Sequence, residues 1–140
     1  DFAPITAQAT QASAIRIGDP VSAPKAIAAL RRHGGLVEQA SEGELAEACA
    51  MADACGMFAC PHTGVALAAV RTFAQRGEIG KDQSVVVVST AHGLKFGNVK
   101  TDYHLGTIPG VTSQRPNRPV RLAPNAQAIY DAVMRHVERR

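Results

Sequence analysis

"VVVVSTAHGLKF", residues 85–96, joins two kinds of chain. Four valines and a serine, Val85 to Ser89, read as a buried strand. β-Branched side chains fit a pleated surface, and a run that is apolar on both faces suits a strand covered on both sides. Thr90, Ala91, His92, Gly93, Leu94 and Lys95 follow, mostly small or polar residues that a strand interior does not use. In open parallel sheets, ligands gather outside the carboxyl ends of the strands. Thr90 stands at such an end, and the small residues after it would let backbone approach something flat. The alternative is a strand-terminating turn in which His92 is only a satisfied polar group.

Upstream, residues 1–23 are small, polar and aperiodic, an extended entry segment closing at Asp19-Pro20. Pro24 to Arg32 is predicted helical, with Pro24 in the first turn and Ile27, Ala28 and Leu30 as apolar contacts. Gly34 and Gly35 stop it, and "LVEQA", 36–40, follows as a short strand. Ser41 with Glu44 three residues on has the form of a capping box, each satisfying a free backbone N–H of the helix start. The helix it opens runs through about Ala54 with Leu45, Cys49 and Ala52 on one stripe, and Gly56 ends it. "MFAC", 57–60, is a brief extended piece. Pro61 then starts a third helix to about Arg76, with Val65, Ala66, Ala69, Val70 and Phe73 as its buried stripe. Strand, helix, short strand, helix, strand is the order of an α/β fold, a parallel sheet flanked by helices. Residues 91–123 read as loop-rich, with Gly and Pro throughout, and 124–138 as a last amphipathic helix on Ala126, Ile129, Val133 and Val137.

At the start of the third helix, His62, Thr63 and Gly64 sit where free N–H groups and the positive dipole end favour an anion. The alternative is that Thr63 merely caps the helix and Gly64 allows close packing. Other constellations fall away. "GEIGKDQ", 77–83, is no phosphate-cradling loop, because a helix precedes it, a strand follows it, and Asp82 occupies the place of the hydroxyl residue. Cys49, Cys55, Cys60 and His62 lack the paired spacing of a structural zinc site, so no metal is expected. Cys60 and His62 make a poor nucleophile pair, with Pro61 between them and no orienting carboxylate in view.

The bulk numbers set the frame. The 140 residues are 46% hydrophobic and 19% charged, a globular composition for one core. No apolar run approaches the ~20 residues that span a bilayer, so no membrane partner is expected. Charge is uneven: residues 1–110 carry 9 Lys and Arg against 10 acids, residues 111–140 carry 6 Arg against 2 acids. Arg115, Arg118 and Arg121 sit among prolines, and Arg139 and Arg140 end a helix where cations suit the dipole. With aromatics at 4% and no Trp, stacking platforms are few, and nucleic acid is not an expected partner. Three cysteines without a secretory leader point to reduced thiols in a cytosol-like compartment. Without an initiator Met, Asp1 is expected to be a processed end or a cut inside a longer protein.

Four stretches in order, "AIRIGDPVSAPKAI" (14–27), "GMFACPHTGVALAA" (56–69), "VVVVSTAHGLKF" (85–96) and "TDYH" (101–104), resemble the C-terminal part of the plant-type threonine synthase family. The resemblance covers nearly the whole chain. It implies a fold-type II pyridoxal-phosphate enzyme that converts O-phosphohomoserine and water into threonine and phosphate. Residues 1–123 would be part of its large α/β domain, and 124–140 a C-terminal helix packing on it. The resemblance puts Thr90 at the pyridine nitrogen of the cofactor, with Ala91, His92 and Gly93 on the ring-side loop. A neutral hydroxyl there leaves the pyridine largely unprotonated, a moderated electron sink suited to replacement at the β and γ carbons. His62, Thr63 and Gly64 would lie in the active-site wall, and Cys60 stands where shorter bacterial relatives carry an acid.

The family's Schiff-base lysine sits in a Ser-Phe-Lys-Asp-type segment and its phosphate site in a Gly/Asn-rich loop. Neither pattern occurs here, and Lys25, Lys81, Lys95 and Lys100 all lack that context. The expectation is therefore a C-terminal fragment with no catalytic residue of its own, inactive without the remainder of the polypeptide. The parent would be a homodimer, cytoplasmic in a bacterium or plastid in a plant. "IGDP" and "CPHTGVAL" favour threonine synthase over another fold-type II lyase. From a different class, the competing reading is a stand-alone α/β domain that binds a small anionic ligand or a protein partner through the 60–64 and 90–95 loops.

Overall fold

Helix α2, Glu42–Ala54, is the centre of the structure, a computed structural model that describes residues 2–138. It starts with the expected capping box: Ser41 Oγ accepts the Glu44 N–H at 3.3 Å, and Glu44 Oε2 accepts the Ser41 N–H at 2.8 Å. Leu45, Ala46, Glu47, Ala48, Cys49 and Ala50 are all buried, so the helix is enclosed on more than the single stripe expected. Its side chains are mostly small, which lets neighbours approach from several directions.

Helix α1 spans Ala23–His33 and buries only Ala23, with Ile27 and Leu30 half-buried and Ala28 exposed. Helix α3, Pro61–Gln75, packs directly on α2. Contact is closest at Gly64, where a Cβ would stand 2.5 Å from Cys49 Sγ and 2.6 Å from Leu45 O. The buried face of α3 is accordingly Pro61, Thr63, Gly64 and Ala68. The expected stripe of Val65, Ala66, Ala69, Val70 and Phe73 is only half-buried. Tight helix contact selects the small residues and turns the larger ones partly outward.

The 91–123 region is not all loop. A 3-10 turn, Gly93–Phe96, leads into helix α4, Gly97–Leu105. This helix delivers Tyr103 to the core, where it meets Leu45, Ala46 and Ala50, with Ala40, Val65, Ile108 and Val111 packed around them. Tyr103 Oη donates to Glu47 Oε2 at 2.6 Å, and Arg115 Nε donates to Glu47 Oε1 at 2.6 Å, tying the following loop to α2. Burial pushes the Tyr103 phenol up, and its hydrogen bond to Glu47 adds to that. Helix α5, Ala126–Val137, carries its apolar stripe where expected, but none of its residues is buried. Arg139 and Arg140, expected at its end, and Asp1 lie outside the described residues.

Among the described residues there is no sheet. The valine run has no ladder partner among the described residues, and Val86 and Val88 are 90% and 75% exposed. "LVEQA" is likewise unpaired, and the "MFAC" stretch takes part only through an antiparallel bridge between Ala59 and His92. An extended segment becomes a strand only when a neighbour pairs its backbone N–H and C=O groups. No helix among the described residues is long and apolar enough to cross a membrane.

Candidate functional site

The start of α3 and the end of the valine run meet. Cys60 is the N-cap of α3, its backbone extended and its sulfur accepting the Thr63 N–H at 3.5 Å. Cys60, not Thr63, therefore caps the helix. Pro61 occupies the first helical position, where its missing N–H costs nothing. Cys60 is 0% and Thr63 1% exposed.

Thr63 bridges the two segments. Its Oγ1 lies 3.2 Å from Cys60 Sγ and 3.1 Å from Ser89 Oγ. His62, half-buried, accepts the Ala14 N–H at Nε2, 2.8 Å away, and meets Phe96 edge-on. An accepting Nε2 leaves the proton of the neutral ring on Nδ1, and the His62 side chain is among the donors facing Cys60. Burial alone would raise the Cys60 thiol. The Thr63 hydroxyl and N–H, His62 and the Ala91 N–H overcome this and lower it from 9.0 to about 6. Cys49, one layer deeper, goes the other way: burial pushes it up to about 11, and its Sγ donates to Cys60 O at 3.4 Å.

The Thr63 hydroxyl stands within hydrogen-bond distance of both Cys60 Sγ and Ser89 Oγ. The chain of groups runs Ser89 to Thr63 to Cys60, from the end of the valine run to the start of α3. The group that caps this helix start is the protein's own sulfur.

Thr90 is exposed. Ala91 is half-buried. His92 caps the 3-10 turn, Nδ1 accepting the Leu94 N–H at 3.2 Å, and its ring leans on Phe58 at 5.6 Å. Gly93 is buried and donates its N–H to Phe58 O at 2.8 Å. A Cβ at Gly93 would lie 2.8 Å from Phe58 O and 3.0 Å from Lys100 Cε, so glycine here serves packing within the chain. Gly64 does the same against α2. Thr63 thus links Cys60 to the Ser89 hydroxyl, and His62 and Ala91 join Thr63 in lowering the thiol, while Thr90 is exposed. Ser89 was missed on sequence, although strand alternation next to Thr90 was signal enough.

The family described as "Pyridoxal-phosphate dependent enzyme" matches residues 1–91. Threonine synthase 2, chloroplastic, of Arabidopsis thaliana is 46% identical over 138 residues, 99% of this chain and 27% of that protein. The threonine synthase of Methanocaldococcus jannaschii is 38% identical over 96 residues, 68% of this chain and 24% of that protein. That of Methanosarcina acetivorans is 40% identical over 87 residues, 61% of this chain and 22% of that protein. The chain spans about a quarter of the length of these curated relatives.

Proposed function

Because this chain belongs to the pyridoxal-phosphate dependent enzyme family, we propose that it is the C-terminal portion of a threonine synthase. The whole enzyme would convert O-phosphohomoserine and water into threonine and phosphate. The observation that carries this reading is the 46% identity sustained over 138 residues, which takes in both site segments. Their junction through Thr63 and Ser89 supports it.

The described residues fit one edge of the cofactor. Thr90 offers an exposed neutral hydroxyl at a strand end, suited to a pyridine nitrogen. No lysine fits the aldehyde end: Lys25, Lys81 and Lys95 are exposed on the surface, and Lys100 is committed to Asp53. When bound, pyridoxal phosphate supplies the electron sink for chemistry at the substrate's β and γ carbons. This chain's share is to hold the ring edge. Thr90 accepts or donates at the nitrogen without forcing a proton onto it, and Ala91, His92 and Gly93 border the ring. Beneath them Cys60, Thr63 and Ser89 anchor the end of the valine run to α3, and of His62, Thr63 and Gly64 only the half-buried His62 is open to the wall, with the other two buried behind it.

In this reading the parallel sheet of the fold is completed by strands from the remainder of the polypeptide, which pair the valine run. Residues 124–140 pack as the C-terminal helix on the domain formed with 1–123. The parent is a homodimer that works in the bacterial cytoplasm or, in a plant, in the plastid. The test is phosphate and threonine formation from O-phosphohomoserine by the full-length protein carrying this chain, loaded with pyridoxal phosphate. Stoichiometric release of both is expected, and neither product appearing from a folded, loaded protein would overturn the assignment.

A further inference from the structure

Of the four lysines, Lys100 alone is buried, and sequence offered no role for it. Its ammonium lies 2.8 and 2.6 Å from the two carboxylate oxygens of Asp53, with the two side chains 9% and 13% exposed. Asp53 Oδ1 also accepts the Ala59 N–H at 3.0 Å, so the end of α2 holds the segment that leads into Cys60. The ammonium stands over the Phe58 ring, 4.9 Å from its centroid.

On its other side the lysine stem meets the strand-end loop. Gly93 packs so closely on Lys100 Cε and Phe58 that no side chain fits there. Its N–H reaches Phe58 O, and the Ala59–His92 bridge completes a two-residue staple between the 58–60 and 91–93 segments. A staple this short is weak alone, since a neutral hydrogen bond contributes little net stability. A charged pair in two-point contact is stronger, and removing one partner leaves a buried, uncompensated charge.

We infer that the Lys100–Asp53 ion pair is the positioning clamp of the site, fixing where Thr90 and Ala91 stand relative to the start of α3. Lys100 touches no reacting atom. It acts through Phe58, Ala59 and Gly93, and its consequence for the cofactor rests on the reading proposed above.

The test uses the full-length protein and two variants, Lys100→Met and the double variant Lys100→Met/Asp53→Asn, which leaves no unpaired buried charge. Amide exchange at Ala59 and Gly93 reads the clamp directly. Affinity for pyridoxal phosphate and the absorption band of the bound cofactor read its effect on the site. Both variants should exchange at least about tenfold faster at these two amides and bind the cofactor roughly tenfold more weakly, from the worth of a charged hydrogen bond. The double variant should recover the melting temperature that Lys100→Met loses, yet recover neither exchange protection nor affinity. Wild-type exchange at Gly93 in the folded double variant would overturn the clamp. Faster exchange with unchanged cofactor affinity and spectrum would overturn its role at the site. A wild-type protein that binds no pyridoxal phosphate would instead refute the functional reading, and the exchange measurement would still decide the clamp.

Discussion

Cys60 is fully removed from solvent yet surrounded by donors, and the donors prevail. Its thiol is lowered from 9.0 to about 6. A depressed folded-state value means that thiolate formation favours the folded chain. That stabilisation is fully present above the ordinary thiol range and is lost as pH falls through about 6. Thiolate absorbance near 240 nm, followed in a Cys49→Ser/Cys55→Ser background, should therefore titrate near pH 6. The melting temperature should rise from there toward pH 9, and this rise should be absent in Cys60→Ser. A midpoint close to the ordinary 9.0 would remove the anionic sulfur from the site. Thr90 makes the opposite case, a hydroxyl turned outward. Thr90→Ala in the full-length protein should change folding stability by less than about 0.5 kcal/mol, as for other exposed positions. It should also slow turnover roughly tenfold or more through the lost hydrogen bond. Unchanged turnover would take Thr90 off the cofactor. Thr90 became a candidate in the sequence because a hydroxyl residue after an apolar run is a local pattern, and its role at the cofactor rests on the family resemblance. Cys60 was passed over because part of what lowers its thiol comes from afar: Ala91 follows the valine run, and Ala14 holds His62, whereas Thr63 is local.

Helices whose signals are local were read closely. The Ser41–Glu44 capping box stands as expected, and hydrogen bonding to Ser41 lowers the Glu44 carboxyl. Ser41→Ala should destabilise the chain by about 1 kcal/mol, the usual worth of a lost N-cap. Urea denaturation should show a lower midpoint with an unchanged slope, and an unaltered midpoint would mean the cap contributes nothing here. The α3 start at Pro61 and the position of α5 were equally visible. Helix α4 was not, because its inward face is Val99, Lys100 and Tyr103, and a lysine in that stripe reads as solvent-facing. Only the carboxylate of Asp53, supplied by another helix, makes its burial tolerable. The valine run failed in the other direction. Its composition is that of a central strand, but pairing is a property of two segments, and among the described residues none pairs with it.

At the scale of the molecule, apolar surface is left over. Val86 and Val88 are open, as are Ile129, Val133 and Val137 on α5. Between α2 and α3 runs an apolar groove lined by Met51, Cys55, Met57, Leu67 and Val70. Surfaces of this kind mark interfaces and unpaired strand edges invite association. The 140-residue chain by itself should therefore bind an apolar dye and self-associate as its concentration rises. A strictly monomeric chain at high concentration, seen by sedimentation, would count against sheet completion by further polypeptide. Incubated with pyridoxal phosphate and dialysed, the same chain should retain no visible absorbance, since Lys100 is held by Asp53 and the remaining lysines stand on the surface. A stable yellow adduct would show that one of them serves.

The sequence by itself determined the family resemblance, the boundaries of the capped helices and the candidate status of His62, Thr63, Gly64 and Thr90. All of these rest on residues within a few positions of each other, where backbone geometry and capping chemistry act locally. Tertiary structure alone decided that small residues form the α2–α3 contact, that the Cys60 thiol is lowered, and that Lys100 is buried. Each depends on what distant segments bring: Leu45 and Cys49 against Gly64, Ala91 against Cys60, and Asp53 against Lys100. The charge state of a thiol and the burial of a lysine are set by the groups around them, and those groups are assembled only when the chain folds.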